Sequence, residues 1–347
     1  MTRTRRIPRL LATVAAVTVA ALAFAGCSGT ASDNGSAGGN LTPVNYQLSW
    51  LKITQFGGYF AGQSQGYFKA EGIDPTFTAG GSNILAWQQV TGGKALLGDE
   101  DNTLMLQAIA KGAPLVAIGA IFQKSPLAII SLDKSPITSA KDVEGKTIAF
   151  PDNGIDQLKS ALTANGVNLS KVNIVPAGAD PTQLVTGQVQ GYGGYATSQG
   201  ASLVKQGLKV HYLYLDDLGI HSYGNVIVTT KQNLKDHRDL IVKFMTAAVK
   251  GYEWFNANPE AGAKLVVNDV NPTAGLDLAT ETETAKIQAP LIESPTGVLR
   301  VDVDKMQQIV DQLVSAGTLS TKLNAKDFVD ASVLDDVYGG KTSLLGK

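Results

Sequence analysis

Cysteine is nearly missing from this chain: Cys27 is the only one in 347 residues, which excludes an internal disulfide framework. Histidine is scarce too, and His211, His221 and His237 fall into no metal-ligand spacing. The acidic triplet Asp99-Glu100-Asp101 has no twelve-residue calcium loop around it, so no metal is expected. No Gly-x-Ser-x-Gly elbow raises one serine above the rest, and no Gly-x-x-x-x-Gly-Lys-Ser/Thr run is present to cradle phosphates. Gly191, Gly193 and Gly194 are interleaved with Tyr192 and Tyr195 and do not open a dinucleotide-binding helix. Neither a cofactor nor a catalytic constellation is predicted.

What is present begins at the amino terminus. Arg3, Arg5, Arg6 and Arg9 form a basic head, and an apolar run follows from Leu10 to Gly26. That run is short for a bilayer-crossing helix and ends in small residues, as a cleaved secretory leader does. Cleavage before Cys27 would expose an amino-terminal thiol for lipidation. Phe24-Ala25-Gly26-Cys27 resembles the lipobox of bacterial lipoproteins, with Phe24 where Leu is more usual. Residues 1–26 are therefore expected to be a signal peptide, and 27–43, rich in Ser, Gly, Ala and Asn, a lipidated tether. The protein is expected on the extracytoplasmic face of the cell membrane. Without the leader, 25 basic groups face 30 acidic ones, a formal charge near −5, so nucleic acid and anionic lipid surfaces are not expected partners.

Beyond the tether, short strands and short helices alternate, which means an α/β protein. Val44 to Trp50 alternates as a strand, Thr54 can cap a helix, and Ile73 to Thr78 is a second strand. Ser82 can cap a helix from Asn83 to Val90, and Asp101 one that runs to Ala110. Leu115 to Phe122 reads as a strand covered on both faces. Further strands are expected at Leu127–Ser131, Lys146–Phe150, Val172–Val175, Lys209–Tyr214 and Asn225–Thr229. Asp236 can cap a long helix with a broad apolar stripe, interrupted by Pro259, and two more helices follow.

Those late helices make poor separate matter but good cover for the first sheet. Lobe one is accordingly expected over 44–127 and 226–347, and lobe two over 128–225. The chain would cross near Ala128–Leu132 and near Tyr223–Asn225, making a hinge with a cleft beside it. Ligands of open α/β sheets sit beyond the carboxyl ends of strands. That rule gathers Trp50, Gln55, Gly81, Ser82, Asp101, Asn102, Asn153 and Asp156 around one crevice. Trp50 offers a ring for stacking, and the helix starts at Ser82 and Asn153 offer amides. Tyr192 and Tyr195, set among glycines, supply aromatic faces from the other lobe.

Several stretches carry a family likeness: Gly66-Tyr67-Phe68-Lys69-Ala70-Glu71-Gly72-Ile73, Gly80-Gly81-Ser82, Lys111 to Ile118, Asp142 to Ile148, and Gly251-Tyr252-Glu253-Trp254 with Asn258-Pro259-Glu260-Ala261. Over about residues 44 to 295 the chain resembles the solute-binding proteins of ABC importers, in the nitrate, sulfonate, taurine and thiamine-precursor (NMT1/THI5-like) branch. The resemblance implies a two-lobed periplasmic-binding-protein fold of type II, each lobe a mixed sheet flanked by helices with two hinge crossings. It implies a small-molecule solute, an ABC permease in the cytoplasmic membrane as partner, and a monomer rather than an enzyme.

Thiamine-precursor members usually carry Asp-Trp, then Asn and His, before the first helix. Here Ser49-Trp50-Leu51-Lys52 keeps only the tryptophan, and the cysteine cluster of the fungal pyrimidine synthases is missing. Aromatic residues around the cleft favour a planar heterocycle, a pyrimidine or a flavin. A sulfonate or nitrate binder and an extracellular enzyme with dispersed carboxylates are the alternative readings.

Overall fold

The computed structural model of the protein describes residues 41–81, 83–177 and 180–346. Cys27, Ser82, the expected leader and most of the expected tether lie outside them. The first strand starts at Thr42, two residues earlier than expected, because Thr42–Gln47 (β1) pairs from its first residue with Ile73–Thr78 (β2) in parallel register.

Among the described residues the strands continue as Leu97–Glu100 (β3), Leu115–Phe122 (β4), Leu127–Leu132 (β5), Thr147–Phe150 (β6), Asn173–Pro176 (β7), Gly191–Tyr195 (β8), Val210–Tyr214 (β9) and Gly224–Thr230 (β10). They form two sheets, ordered β2-β1-β3-β10-β4 and β7-β6-β8-β5-β9. In each sheet three strands run parallel, and the fourth is antiparallel to both its neighbours. The fold is thus α/β with two lobes, each a mixed sheet covered by helices.

The connections between lobes follow one rule. The chain leaves edge strand β4 and, over residues 123–126, enters the other sheet as β5, one place in from the edge. It leaves edge strand β9 through the turn Leu215–Leu218 and returns over 219–223 as β10, again one place in. The expected first crossing at Ala128–Leu132 is corrected by this register: those residues are paired on both sides, with β8 and β9. A stretch saturated with ladder hydrogen bonds on both edges cannot serve as a pivot.

The central strands of each sheet are buried on both faces, while the outer strands β2 and β7 keep exposed residues. The run of β4 is buried at all eight residues, as its unbroken apolar sequence requires. On one face of the first sheet, rings of Tyr46, Tyr59, Phe77 and Phe244 pack at centroid distances of 4.7 to 6.3 Å. On the other face, Met105, Val226, Val228, Met306 and Phe328 form a separate cluster. The helix Arg238–Ala257 supplies the largest cover, through Ile241, Phe244, Met245, Ala248, Tyr252 and Phe255. Asp236 does not cap it. Thr230 accepts from the Asn233 amide and starts a short helix, Lys231–Asp236, so Asp236 falls at the end of that helix instead.

The helix Gly57–Ser64 lies so close to Arg238–Ala257 that backbone meets backbone. A Cβ on Gly251 would sit 2.1 Å from the Gly58 carbonyl oxygen and 2.7 Å from the Gly62 nitrogen. Alanine would gain up to about 1 kcal/mol in helix propensity, but main chain cannot swing aside as a side chain does. Gly251→Ala should therefore destabilise the protein by about 1–3 kcal/mol in urea unfolding; an unchanged or raised midpoint would show that the two helices do not touch.

Candidate functional site

A cavity of about 860 Å³ opens between the two sheets, at the carboxyl ends of β1, β3 and β8. That is within the rough 300–1,000 Å³ range of small-molecule sites. Trp50 reaches it from the segment after β1 and Tyr195 from the last residue of β8; they are 41% and 49% exposed, unusual for such large rings. Gln55, Gly81, Asp101 and Asn102 also line it.

Other expected residues are placed differently. Tyr192 is corrected: β8 is the middle strand of its sheet, and alternation turns Tyr192 away from Tyr195 into the core beside Ile130, Ala149 and Leu203. The glycines around it are packing devices and not flexible loop, since a Cβ on Gly193 would lie 2.2 Å from the Phe150 ring. Asp156 points to solvent with its carboxylate fully exposed, 3.6 Å from the Lys159 ammonium; its neighbour Gln157 lines the cavity. Of Asn153 only the backbone is described, in the single turn Asp152–Gly154.

The helix expected to start at Ser82 begins instead at Ala86 and ends at Thr91. Gly81 bridges Ile84 before it. Its first turn is already answered by protein, because the Trp87 amide donates to Glu100 Oε2 at 3.2 Å. Glu100 Oε1 accepts from the Asp101 amide at 3.1 Å. Burial still raises the Glu100 carboxyl above its ordinary range, against those two hydrogen bonds.

Beneath the cavity lies a buried carboxylate, Asp99 on β3. Ser49 Oγ donates to its Oδ2 at 2.5 Å, and Asn225 Nδ2 donates to the same oxygen at 2.8 Å. Asn225 Nδ2 also reaches Ser49 Oγ at 2.8 Å, while its Oδ1 accepts from Gln55 Nε2 at 2.7 Å. To do this, Asn225 takes a left-handed backbone, φ +57°, which asparagine tolerates better than most residues. Asp99 Oδ1 has no partner among the described residues. Desolvation pushes the Asp99 carboxyl up to about 7, partly opposed by the Ser49 and Asn225 hydrogen bonds.

Asn102 has a structural duty beside this network. Its Oδ1 accepts from Ser222 Oγ at 3.0 Å and from the Tyr223 amide at 3.2 Å, tying the start of the helix Asn102–Ala110 to the returning crossing. Asp101 caps that helix, accepting from the Thr103 and Leu104 amides. The Tyr195 phenol is raised above its ordinary range, first by the protein packed around it and then by the charge of Asp101, although its ring is half-exposed.

The helix Leu278–Ile292 was expected only as cover for the first sheet; what sequence reasoning missed is that it presents Thr280, Glu281, Thr284 and Gln288 to the cavity. Thr280, Thr284 and Gln288 recur every four residues, a signal of one polar helix face. Thr284 Oγ1 donates to the Thr197 carbonyl of lobe two at 2.9 Å, and Gln288 Nε2 to the Thr54 carbonyl of lobe one at 3.0 Å. Asp277, just before the helix, pairs with Lys205 at 2.9 Å. Three carboxylates line the cavity, Glu100, Asp101 and Glu281, and no lysine or arginine does so among the described residues. Nor do three or more His, Cys, Asp or Glu among the described residues converge as metal ligands.

Residues 53–262 match the family described as NMT1/THI5 like. The riboflavin-binding protein RibY of Chloroflexus aurantiacus is 26% identical over 269 residues, 75% of this chain and 76% of that protein. The formylaminopyrimidine-binding protein of Halalkalibacterium halodurans is 23% identical over 317 residues, 89% and 95% of the two chains. The periplasmic aliphatic sulphonate binding protein SsuA from Escherichia coli shares the type II binding-protein fold at TM-score 0.60 and 17% identity, over 83% of this chain and 97% of that one.

The position of Asp99 sets a pH dependence. Its folded value, about 7, lies above the ordinary carboxyl value near 3.9. Across the window from about 4 to about 7 the folded chain keeps a proton that the unfolded chain has released, so stability falls as pH rises there. The slope is up to about 1.4 kcal/mol per pH unit, and Asp99 adds none above the window. Asp99→Asn should remove that contribution, so urea unfolding should show the variant gaining on the native protein between about pH 4 and about pH 7. A difference that stays constant with pH would mean that Asp99 is ionised throughout.

Proposed function

Because this chain belongs to the NMT1/THI5-like family, we propose that it is the extracytoplasmic solute-binding component of an ABC importer, enclosing a small planar heterocycle between its lobes and delivering it to a membrane permease. The observation that carries this reading is the cavity itself, with Trp50 and Tyr195 offered from opposite lobes and no lysine or arginine in its described lining. Exposed aromatic faces gain from covering a flat ring. Contacts from both lobes give a ligand the differential affinity for the closed state that drives closure. The relatives that bind riboflavin and formylaminopyrimidine support the same ligand class.

An anion such as a sulfonate or nitrate is the weaker candidate. It would meet Glu100, Asp101 and Glu281 without a lysine or arginine to offset them, and the Trp87 amide at the helix start already serves Glu100. No bond is made or broken in the solute under this proposal, and the protein works as a monomer held at the membrane through a lipid on Cys27. An enzyme with dispersed carboxylates would instead convert the solute, and a shared fold alone does not decide between the two.

Mass spectrometry of solute released from gently purified protein tests the function directly: an intact heterocycle supports it, whereas recovery of an inorganic anion or of a reaction product overturns it. Trp50→Ala should weaken binding of that solute by about 1–3 kcal/mol. The melting temperature should barely move, because the ring is 41% exposed. A large loss of stability with unchanged affinity would assign Trp50 to the core.

A further inference from the structure

We infer that the cavity selects a neutral or cationic heterocycle bearing N–H donors and rejects the same ring once it is phosphorylated, with Gln288 as the residue that reads the donor. This rests on the proposed function and narrows its ligand.

The argument is one of hydrogen-bond complementarity. Three amide side chains at the cavity have their nitrogens hydrogen-bonded to protein: Gln55 Nε2 to Asn225 Oδ1, Gln288 Nε2 to the Thr54 carbonyl, and Asn225 Nδ2 to Ser49 and Asp99. The hydroxyl protons of Ser49 and Thr284 are committed as well, to Asp99 and to the Thr197 carbonyl. What these groups leave for a ligand is acceptor oxygen.

Gln288 shows this most sharply. Its side chain lines the cavity, the residue is 0% exposed, and its Oε1 has no partner among the described residues. The hydrogen bond from its own Nε2 fixes which end of the amide is free. A buried acceptor without a donor is costly, and a ligand N–H would relieve it. The carboxylates of Asp101 and Glu281 extend the acceptor character. A phosphate ester would bring about two negative charges into this lining, where like charges juxtaposed cost several kcal/mol, and the one imidazole there, His221, is already bonded to Asp216 at 3.2 Å.

The test titrates the full chain with riboflavin and with a hydroxymethyl aminopyrimidine, each as the free alcohol and as its phosphate ester, and with riboflavin methylated at its ring imide nitrogen. The free alcohol should bind at least on the order of 100-fold more tightly than its ester. Methylation should cost roughly tenfold or more, because it removes the donor and leaves the acceptor unpaired. Gln288→Met, checked for native melting, should erase the preference for the unmethylated ring. Equal affinity for alcohol and ester, or a preference for unmethylated flavin that survives in Gln288→Met, overturns the inference while leaving a heterocycle binder in place. Binding of an alkanesulfonate and of none of these rings overturns it together with the function on which it rests.

Discussion

A carboxylate held away from water organises the centre of this protein. Asp99 sits on β3 and receives hydrogen bonds from Ser49, just beyond β1, and from Asn225, near the start of β10. Three strands that are remote in sequence are thereby joined at their cavity ends by one oxygen atom. A buried polar group is costly to leave unpaired, and these two donors satisfy Oδ2 while desolvation favours the protonated carboxyl. Asn225 pays with a left-handed backbone and in return fixes Gln55, a cavity residue. The cavity floor is rigid because its polar groups answer to Asp99 before they answer to any ligand.

From that floor the rest of the site follows in order. Asn102, next to the triplet, holds Ser222 and Tyr223 of the returning crossing. Tyr223 in turn receives the Asp302 amide on its hydroxyl, and the Lys305 ammonium lies 4.8 Å from the centre of its ring. The crossing is thus fastened to the helix Val303–Ser315, while the cavity wall opposite is closed by the polar face of Leu278–Ile292.

Local chemistry made much of this legible. The eight-residue apolar run of β4, the Asp101 cap and the strand-end position of Trp50 all follow from patterns spanning a few residues. Where reading failed, the deciding contact lay far away in sequence. The glycines around Tyr192 resemble a pliant loop until Phe150 is known to press on Gly193. Ser82 resembles a helix cap, yet Glu100 meets the amide of Trp87 and the helix starts at Ala86. Gln288 carries no local signal of its place, since its partner, the Thr54 carbonyl, lies 234 residues away in the chain. Asp99, placed in an acidic triplet, gave no sign that it would be wholly enclosed while Asp101 stayed exposed.

The placement of β10 has a consequence for how the chain comes together. Every strand of the second sheet lies between Leu127 and Tyr214, so that sheet can close from one continuous stretch. The first sheet cannot, because β3 and β4 are joined only through β10, which pairs with both. Until residues 224–230 arrive, β4 has no neighbour in that sheet and β3 keeps a bare edge. Such distant pairings form slowly, since a long loop must close first. The inserted lobe should be native early, and the lobe that begins the chain should finish maturing last.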